Sequence, residues 1–291
     1  ALPYVFDGTV GTGWSQPSYA EVDASGRLWV CQYIPANVRV FNPDGTEASF
    51  SPITHGQTPA GASKEMSAVS GIVATPGGEM IVTIANYTSN PTYFALFRFR
   101  ASDGQALPGK ELTWRPGDAA CDAAGRIFIV DKVIDKWHVF SPDLQELPGS
   151  PMGPAGTDNI QRGIAVLPDA SKVYVICETE GTVKVWEGGI GGEGVAYTRK
   201  SDLVQGLGGA SGGVDVMRDG TVLVSDEGRN LVLAYDADHK LIGSLSGGYP
   251  AMSLPRGTAF LPDGSVIWVI CRSGLVQRWV LPGAPSGMVL Y

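Results

Sequence analysis

Short apolar runs of about four to six residues, each closed by a tight polar turn, recur along the whole chain. The clearest copy spans 255–279. Residues 257–261 form a small and apolar run, and Pro262, Asp263 and Gly264 turn the chain. Residues 266–270 are β-branched and aromatic. A second turn at 272–274 leads into a third run at 275–280. Runs of this length, punctuated by Pro, Asp and Gly, predict three short strands joined by tight turns.

Variants of this unit recur six times. The second run of each copy carries a large apolar residue: Trp29, Val82, Phe128, Tyr174, Leu223 and Trp268, at intervals of 53, 46, 46, 49 and 45 residues. The third run ends on an aromatic: Phe41, Phe99, Phe140, Trp186, Tyr235 and Trp279. Most copies then turn again, as at Asn42 to Gly45, Ser102 to Gly104 and Asp236 to Asp238. A repeat of roughly 45–50 residues with four strands is the size of a propeller blade. The predicted fold is all-β: one six-bladed β-propeller domain of four-stranded antiparallel blades, closed by the chain termini. The blades fall at about 15–65, 66–114, 115–159, 160–209, 210–253 and 254–291, with 1–14 as closing segment. Two segments compete to close the ring, one around Tyr4, Val5 and Phe6 and the other at 288–291.

The copies at 116–131, 213–226 and 255–271 also resemble the NHL repeat. Its pattern is a Pro-x-Gly start, an apolar-Ala-Val-Asp run, a Gly turn, and a strand ending in Asp. The resemblance covers about 15–281. It implies the propeller fold and leaves function open, since such propellers serve as enzymes, binding modules and scaffolds. It also implies that Asp131 and Asp226 bond to backbone in a neighbouring turn.

Composition narrows the partners. The 291 residues carry a formal charge of −8, only 17% are charged, and Gly 39 and Pro 20 suit many turns. An acidic chain without clustered Lys and Arg argues against nucleic acid. No apolar run reaches the length of a membrane span. The linkers at 54–65 and 148–159 read as Gly- and Pro-rich loops. The glycine cluster at 187–193 lacks the Gly-Lys-Ser/Thr and the helix of a phosphate loop. A start at Ala1 fits a mature chain after removal of a signal peptide, so an extracellular, cell-surface or periplasmic location is expected.

Candidate chemistry follows from the propeller geometry. The residues entering each inner strand share one face with the ends of the second strands. Entering residues are Ser18, Ser70, Gly117, Arg162, Gly212 and Arg256, and second strands end at Tyr33, Asn86, Lys132, Glu178, Glu227 and Arg272. The ligand-binding candidates on that face are Tyr33, Asn86, Tyr87, Arg162, Arg256, Glu178 and Glu227. Arg162 and Arg256 hold one repeat position; their guanidiniums either fork onto a carboxylate or sulfate, or pair with acids in nearby turns. Glu21 and Asp215 stand where other blades place Val73, Ala120, Ala165 and Ala259. An acid in an apolar position marks a candidate site. The two either hold Ca²⁺ in the central channel, with waters and carbonyls, or face a wet channel.

Three histidines, His55, His138 and His239, fall in unrelated parts of the repeat, which disfavours a three-His zinc centre. There is no convincing Ser-His-Asp order and no Gly-x-Ser-x-Gly. The Glu/Asn/Asp metal set of gluconolactonase-like propellers has no residue-by-residue match. The four cysteines are either buried thiols or two staples, Cys31 with Cys271 and Cys121 with Cys177. These observations favour a non-catalytic binding or structural propeller whose partner is a protein, a glycan or further copies of itself. The alternative is a hydrolase or lyase with a metal held by the channel acids.

Overall fold

The computed structural model describes residues 2–86, 92–154, 160–208 and 212–283. Six sheets, antiparallel within each blade, surround a central channel. The inner strands are Pro17–Val22, Val69–Ala74, Pro116–Cys121, Gln161–Val166, Val214–Val216 and Pro255–Phe260. The second strands are Leu28–Gln32, Glu79–Asn86, Ile127–Asp131, Lys172–Cys177, Val222–Asp226 and Val266–Cys271. The six-bladed propeller expected from the repeat is the observed fold.

The second strands read as continuous apolar runs because both of their faces are buried. In blade 1, Trp29 and Cys31 pack toward blade 2, while Leu28 and Val30 pack toward blade 6. The same alternation produces one apolar core between each pair of neighbouring blades. The ring is thus held by six sheet-on-sheet interfaces rather than by one central core.

The N-terminal segment closes it. Val5–Thr9 pairs with Leu275–Val280 as the outer strand of blade 6, in the register Val5 with Val280 and Phe6 with Trp279. Phe6 meets the Trp279 ring edge-on at 5.5 Å, and Asp7 pairs with the buried Arg278. The second closing candidate, 288–291, lies outside the described residues.

Two details depart from the four-stranded expectation. In blades 1 and 3 the outer strand shrinks to isolated bridges, Val38 with Ile53 and Trp137 with Met152 among them. The residues before those bridges are Pro52 and Pro151, which have no N–H to offer a ladder. Side chains substitute: Ser51 Oγ accepts from Val40 N and Ser150 Oγ from Val139 N, each at 3.0 Å. The linker at 54–65 is no plain loop either. It forms a hairpin, His55–Gln57 with Ser63–Glu65, that covers the outer edge of blade 2. Residues 187–193 lie in the extended hairpin of Thr182–Gly191 and Gly194–Arg199.

Around the channel, neighbouring inner strands approach closely. A Cβ on Gly71 would fall 2.5 Å from Asp118 Cα, and one on Gly257 would fall 2.9 Å from Ser18 O. Neither neighbour is the flexible end of a side chain, so relief requires backbone movement. Gly71→Ala is therefore expected to destabilise the protein by about 1–3 kcal/mol in urea denaturation; an unchanged midpoint would show that the blades can spread at no cost.

Candidate functional site

Each inner strand carries one residue more than its partner at the channel mouth. The register slips between Pro17 and Ala20, Val69 and Gly71, Pro116 and Ala119, Gln161 and Gly163, and Pro255 and Gly257. In blade 5, Gly212 and Gly213 both bond to Ser225, the same two-against-one arrangement. An extra residue bends the strand and re-aims its side chain. Ser18, Ser70, Arg162 and Arg256 sit in these bulges and line a cavity of about 240 Å³ at the mouth.

The cavity is basic although the chain is acidic. Arg162 and Arg256 are joined there by Arg115, Lys132 and Arg272, with Tyr33 and Gln16 on the wall. Glu178 and Glu227 serve the two central arginines. Arg162 grips both carboxylate oxygens of Glu178, the longer contact being 2.7 Å from Nη2 to Oε1. Burial alone would raise the Glu178 carboxyl, but the Arg162 pair outweighs it and holds the group below its usual range. Arg256 Nε donates to Glu227, and both residues are buried, at 6% and 4% exposure. Arg256 Nη2 and Ser18 Oγ are left buried without a partner. Unsatisfied buried donors are costly, and two in one basic cavity mark a place for an anion.

Lys132 differs from its neighbours. It leaves the end of the second strand of blade 3 and runs past Gly117, whose missing Cβ leaves it room: an added Cβ would lie 3.3 Å from Lys132 Cγ. Its Nζ donates to Ser70 Oγ at 3.2 Å, and it makes no ion pair among the described residues. Burial, then the charges of Arg162, Arg115 and Arg256, push its ammonium down to about 7 against the opposing charge of Asp118. A lysine so placed is half neutral near physiological pH.

Tyr19 lines this cavity and a second one of about 240 Å³ on the other side of the ring. Its ring lies against Gly213 and Gly257, and its hydroxyl is 3.5 Å from Arg162 O. The second cavity carries Glu21, Asp118 and Asp215. Burial, and then the charge of Asp215, raise the Glu21 carboxyl to about 8, against the Val22 amide that stabilises its charge. Burial raises Asp215 to about 6, against two bonds from Thr258. Burial, then Asp215 and Glu21, raise Asp118 too.

For the calcium expected at Glu21 and Asp215, the second cavity offers the carboxyls of Glu21, Asp118 and Asp215. Calcium takes about six to eight oxygen ligands, and among the described residues no three acidic, His or Cys side chains converge as a metal needs. Glu21 Oε1 already accepts the Val22 amide at 2.9 Å, and Asp215 Oδ2 accepts both the Thr258 amide and its hydroxyl.

Of the other candidates, Tyr33 lines the mouth, whereas Ala85 does so in place of its neighbour Asn86. Tyr87 lies outside the described residues. Asp131 accepts the Val133 amide, and Asp226 accepts those of Gly208 and Arg229. His138 stacks on Trp114, His239 reaches Tyr174, and His55 meets Thr54, all away from the mouth. The four cysteines are unbridged. The disulfide alternative fails because the pairs face different interfaces: Cys31 packs between blades 1 and 2, Cys271 between blades 5 and 6, and Cys177 between blades 3 and 4, while Cys121 edges the core between blades 2 and 3. Arg115, Tyr19 and Asp118 escaped the sequence reading, and Lys132 was placed on the mouth face without being counted among the binding candidates. Lys132 held a telling position, the second-strand end, but stood beside the apparently structural Asp131.

No family model and no curated protein matches this chain. Solved structures do. A gluconolactonase from Xanthomonas campestris aligns with a TM-score of 0.65 at 17% identity, over 97% of this chain and 98% of that one. Regucalcin, a calcium-binding protein from Agrobacterium tumefaciens, aligns at 0.66 and 15% identity, over 95% of each chain. Virginiamycin B lyase from Staphylococcus aureus aligns at 0.62 and 13% identity, over 96% and 99%. At such identities the likeness establishes the six-bladed fold. It also corrects the expectation of a non-catalytic binding or structural module. Propellers of this architecture include a lyase and a gluconolactonase.

The channel acids make a test of the electrostatics. With its folded pKa raised, Glu21 binds its proton more tightly in the folded state, so its stability contribution is lost as pH rises from about 4.5 to about 8. Glu21→Gln is expected to be more stable than wild type by about 2–4 kcal/mol at pH 9, an advantage that vanishes at pH 4. A pH-independent difference between the two proteins would contradict a buried, proton-holding Glu21.

Proposed function

We propose that this chain is an enzyme of the hydrolase or lyase class, acting at the basic mouth on a small substrate that carries a carboxylate. The observation that carries this reading is the pair of unpartnered buried donors, Arg256 Nη2 and Ser18 Oγ, in a cavity lined by five cationic side chains. A carboxylate seated there balances the charge that the cationic lining gathers. At about 240 Å³ the cavity is smaller than the roughly 300–1,000 Å³ typical of sites for drug-sized ligands, so the substrate is a compact molecule.

The same residues supply what hydrolysis or elimination needs. The guanidiniums of Arg162 and Arg256 are fixed by Glu178 and Glu227 and need not reorganise as negative charge grows on a substrate oxygen. Lys132 offers an uncharged amine at the working pH, tuned as general bases are tuned. Tyr19 forms the floor of the cavity. No step is assigned to a metal. This reading also takes the repeats as NHL-like, on the backbone-bonding positions of Asp131 and Asp226.

The test is a paired activity screen of carboxylate-bearing and neutral analogues of lactones, esters and β-substituted acids. Turnover is expected for the carboxylates, with kcat/KM rising with pH through about 7 as Lys132 loses its proton. Lys132→Met is expected to lose on the order of 100-fold or more. Equal turnover of the neutral analogues, or an unaffected Lys132→Met, would contradict the assignment.

A further inference from the structure

We propose that Lys132 captures the carbonyl carbon of a small 2-oxo acid as a Schiff base, with Arg162 and Arg256 seating the carboxylate. This rests on the anionic-substrate reading and narrows it to one substrate class and to lyase chemistry.

The cavity leaves few groups with an electron pair to give. Guanidiniums have none to spare at any ordinary pH. Glu178 and Glu227, just behind the wall, are committed to Arg162 and Arg256. The hydroxyls of Ser18 and Ser70 have no histidine beside them to take a proton, since all three histidines lie elsewhere. The Tyr19 phenol is driven further from ionisation by burial. Lys132 Nζ is the amine among the cavity groups, and among the described residues its hydrogen bond is to a serine hydroxyl rather than to a carboxylate.

The chemistry of an amine then chooses the electrophile. Attack on an ester or lactone would end in an amide and consume the lysine. Attack on a ketone or aldehyde gives an imine, which water reverses. In a 2-oxo acid the carbonyl carbon is bonded directly to the carboxylate carbon. A carboxylate on the guanidiniums therefore sets the reacting carbon beside the amine, which is the gain from orientation. The neighbouring Ser70 hydroxyl accepts from Lys132 Nζ and gives its proton to Ala68 O at 3.4 Å, a long bond that it can exchange for one to the carbonyl oxygen.

The atoms balance without a redox partner. Nζ bonds to the carbonyl carbon, and one amine proton moves to the oxygen, giving a carbinolamine. One proton from solvent joins that oxygen, the C–O bond breaks, and water leaves. The product is a protonated imine that keeps the second amine proton on nitrogen. It withdraws electrons from the adjacent carbon, as elimination or carbon–carbon cleavage there requires. Hydrolysis returns Lys132.

The experiment is reductive trapping of the intact protein with pyruvate and with glyoxylate at pH 8, using borohydride, followed by peptide mass mapping. At that pH an amine with a pKa of about 7 has on the order of 100-fold more neutral form than an ordinary lysine. Lys132 is expected to carry the reduced adduct at least about tenfold above any other lysine. Excess lactate, which bears the carboxylate but no carbonyl, should suppress the labelling, and Arg256→Gln should weaken it. Anion binding is read separately, as thermal stabilisation by lactate. Lactate stabilisation without selective labelling of Lys132 would overturn the Schiff base and leave the anionic site standing. Neither stabilisation nor labelling would overturn both. Labelling spread over surface lysines counts against the proposal. Because mapping is done on the wild-type chain, the result does not depend on whether a Lys132 variant folds.

Discussion

The structure depends on one backbone feature repeated around the channel: a single extra residue in the inner strand of every blade, at the same mouth. Without it, the side chains of Ser18, Ser70, Arg162 and Arg256 would follow the two-residue alternation of their strands. With it, they turn into a common space. The bulges also bring neighbouring inner strands so close that glycines must stand at Gly71 and Gly257. Packing of the ring and construction of the site are thus one constraint.

That space is electrostatically unusual. A chain with net charge −8 gathers five cationic side chains around one cavity and places its unpaired channel acids in another. Tyr19 lies between them. Each half bends the ionisation of its own residues in the expected direction: burial and like charges make Lys132 easier to deprotonate, and burial makes Glu21, Asp118 and Asp215 harder to ionise. The carboxylates that reach the basic half, Glu178 and Glu227, hold two arginines rigid, and the charge of Asp118 is outweighed at Lys132 by burial and the neighbouring arginines. A small anion completes what the protein leaves incomplete.

Much of this was legible in the sequence, because propeller blades are built from local signals. The turn residues and apolar runs located all six blades, and the repeat register placed Arg162, Arg256 and Tyr33 at one mouth. What escaped depended on contacts across blades. The outer strands of blades 1 and 3 were lost to Pro52 and Pro151, whose effect shows only when a ladder partner is known. Arg115 and Tyr19 gain their roles from neighbours far along the chain. The acids Glu21 and Asp215 were visible as exceptions to the repeat, but their sharing of one cavity with Asp118 was not. The function expected from the absence of a catalytic motif was also misleading. A lysine becomes an uncharged amine through its surroundings, and no motif announces that.

The central claim is that Lys132 is an uncharged amine waiting for an anion. Its most direct test is an NMR titration of the Lys132 side chain, assigned through Lys132→Arg, without and with a saturating small carboxylate. The account predicts a midpoint near 7 without the anion and a clear upward shift when the carboxylate is bound, because the added negative charge favours the ammonium. A midpoint at the ordinary lysine value that ignores the carboxylate would contradict it.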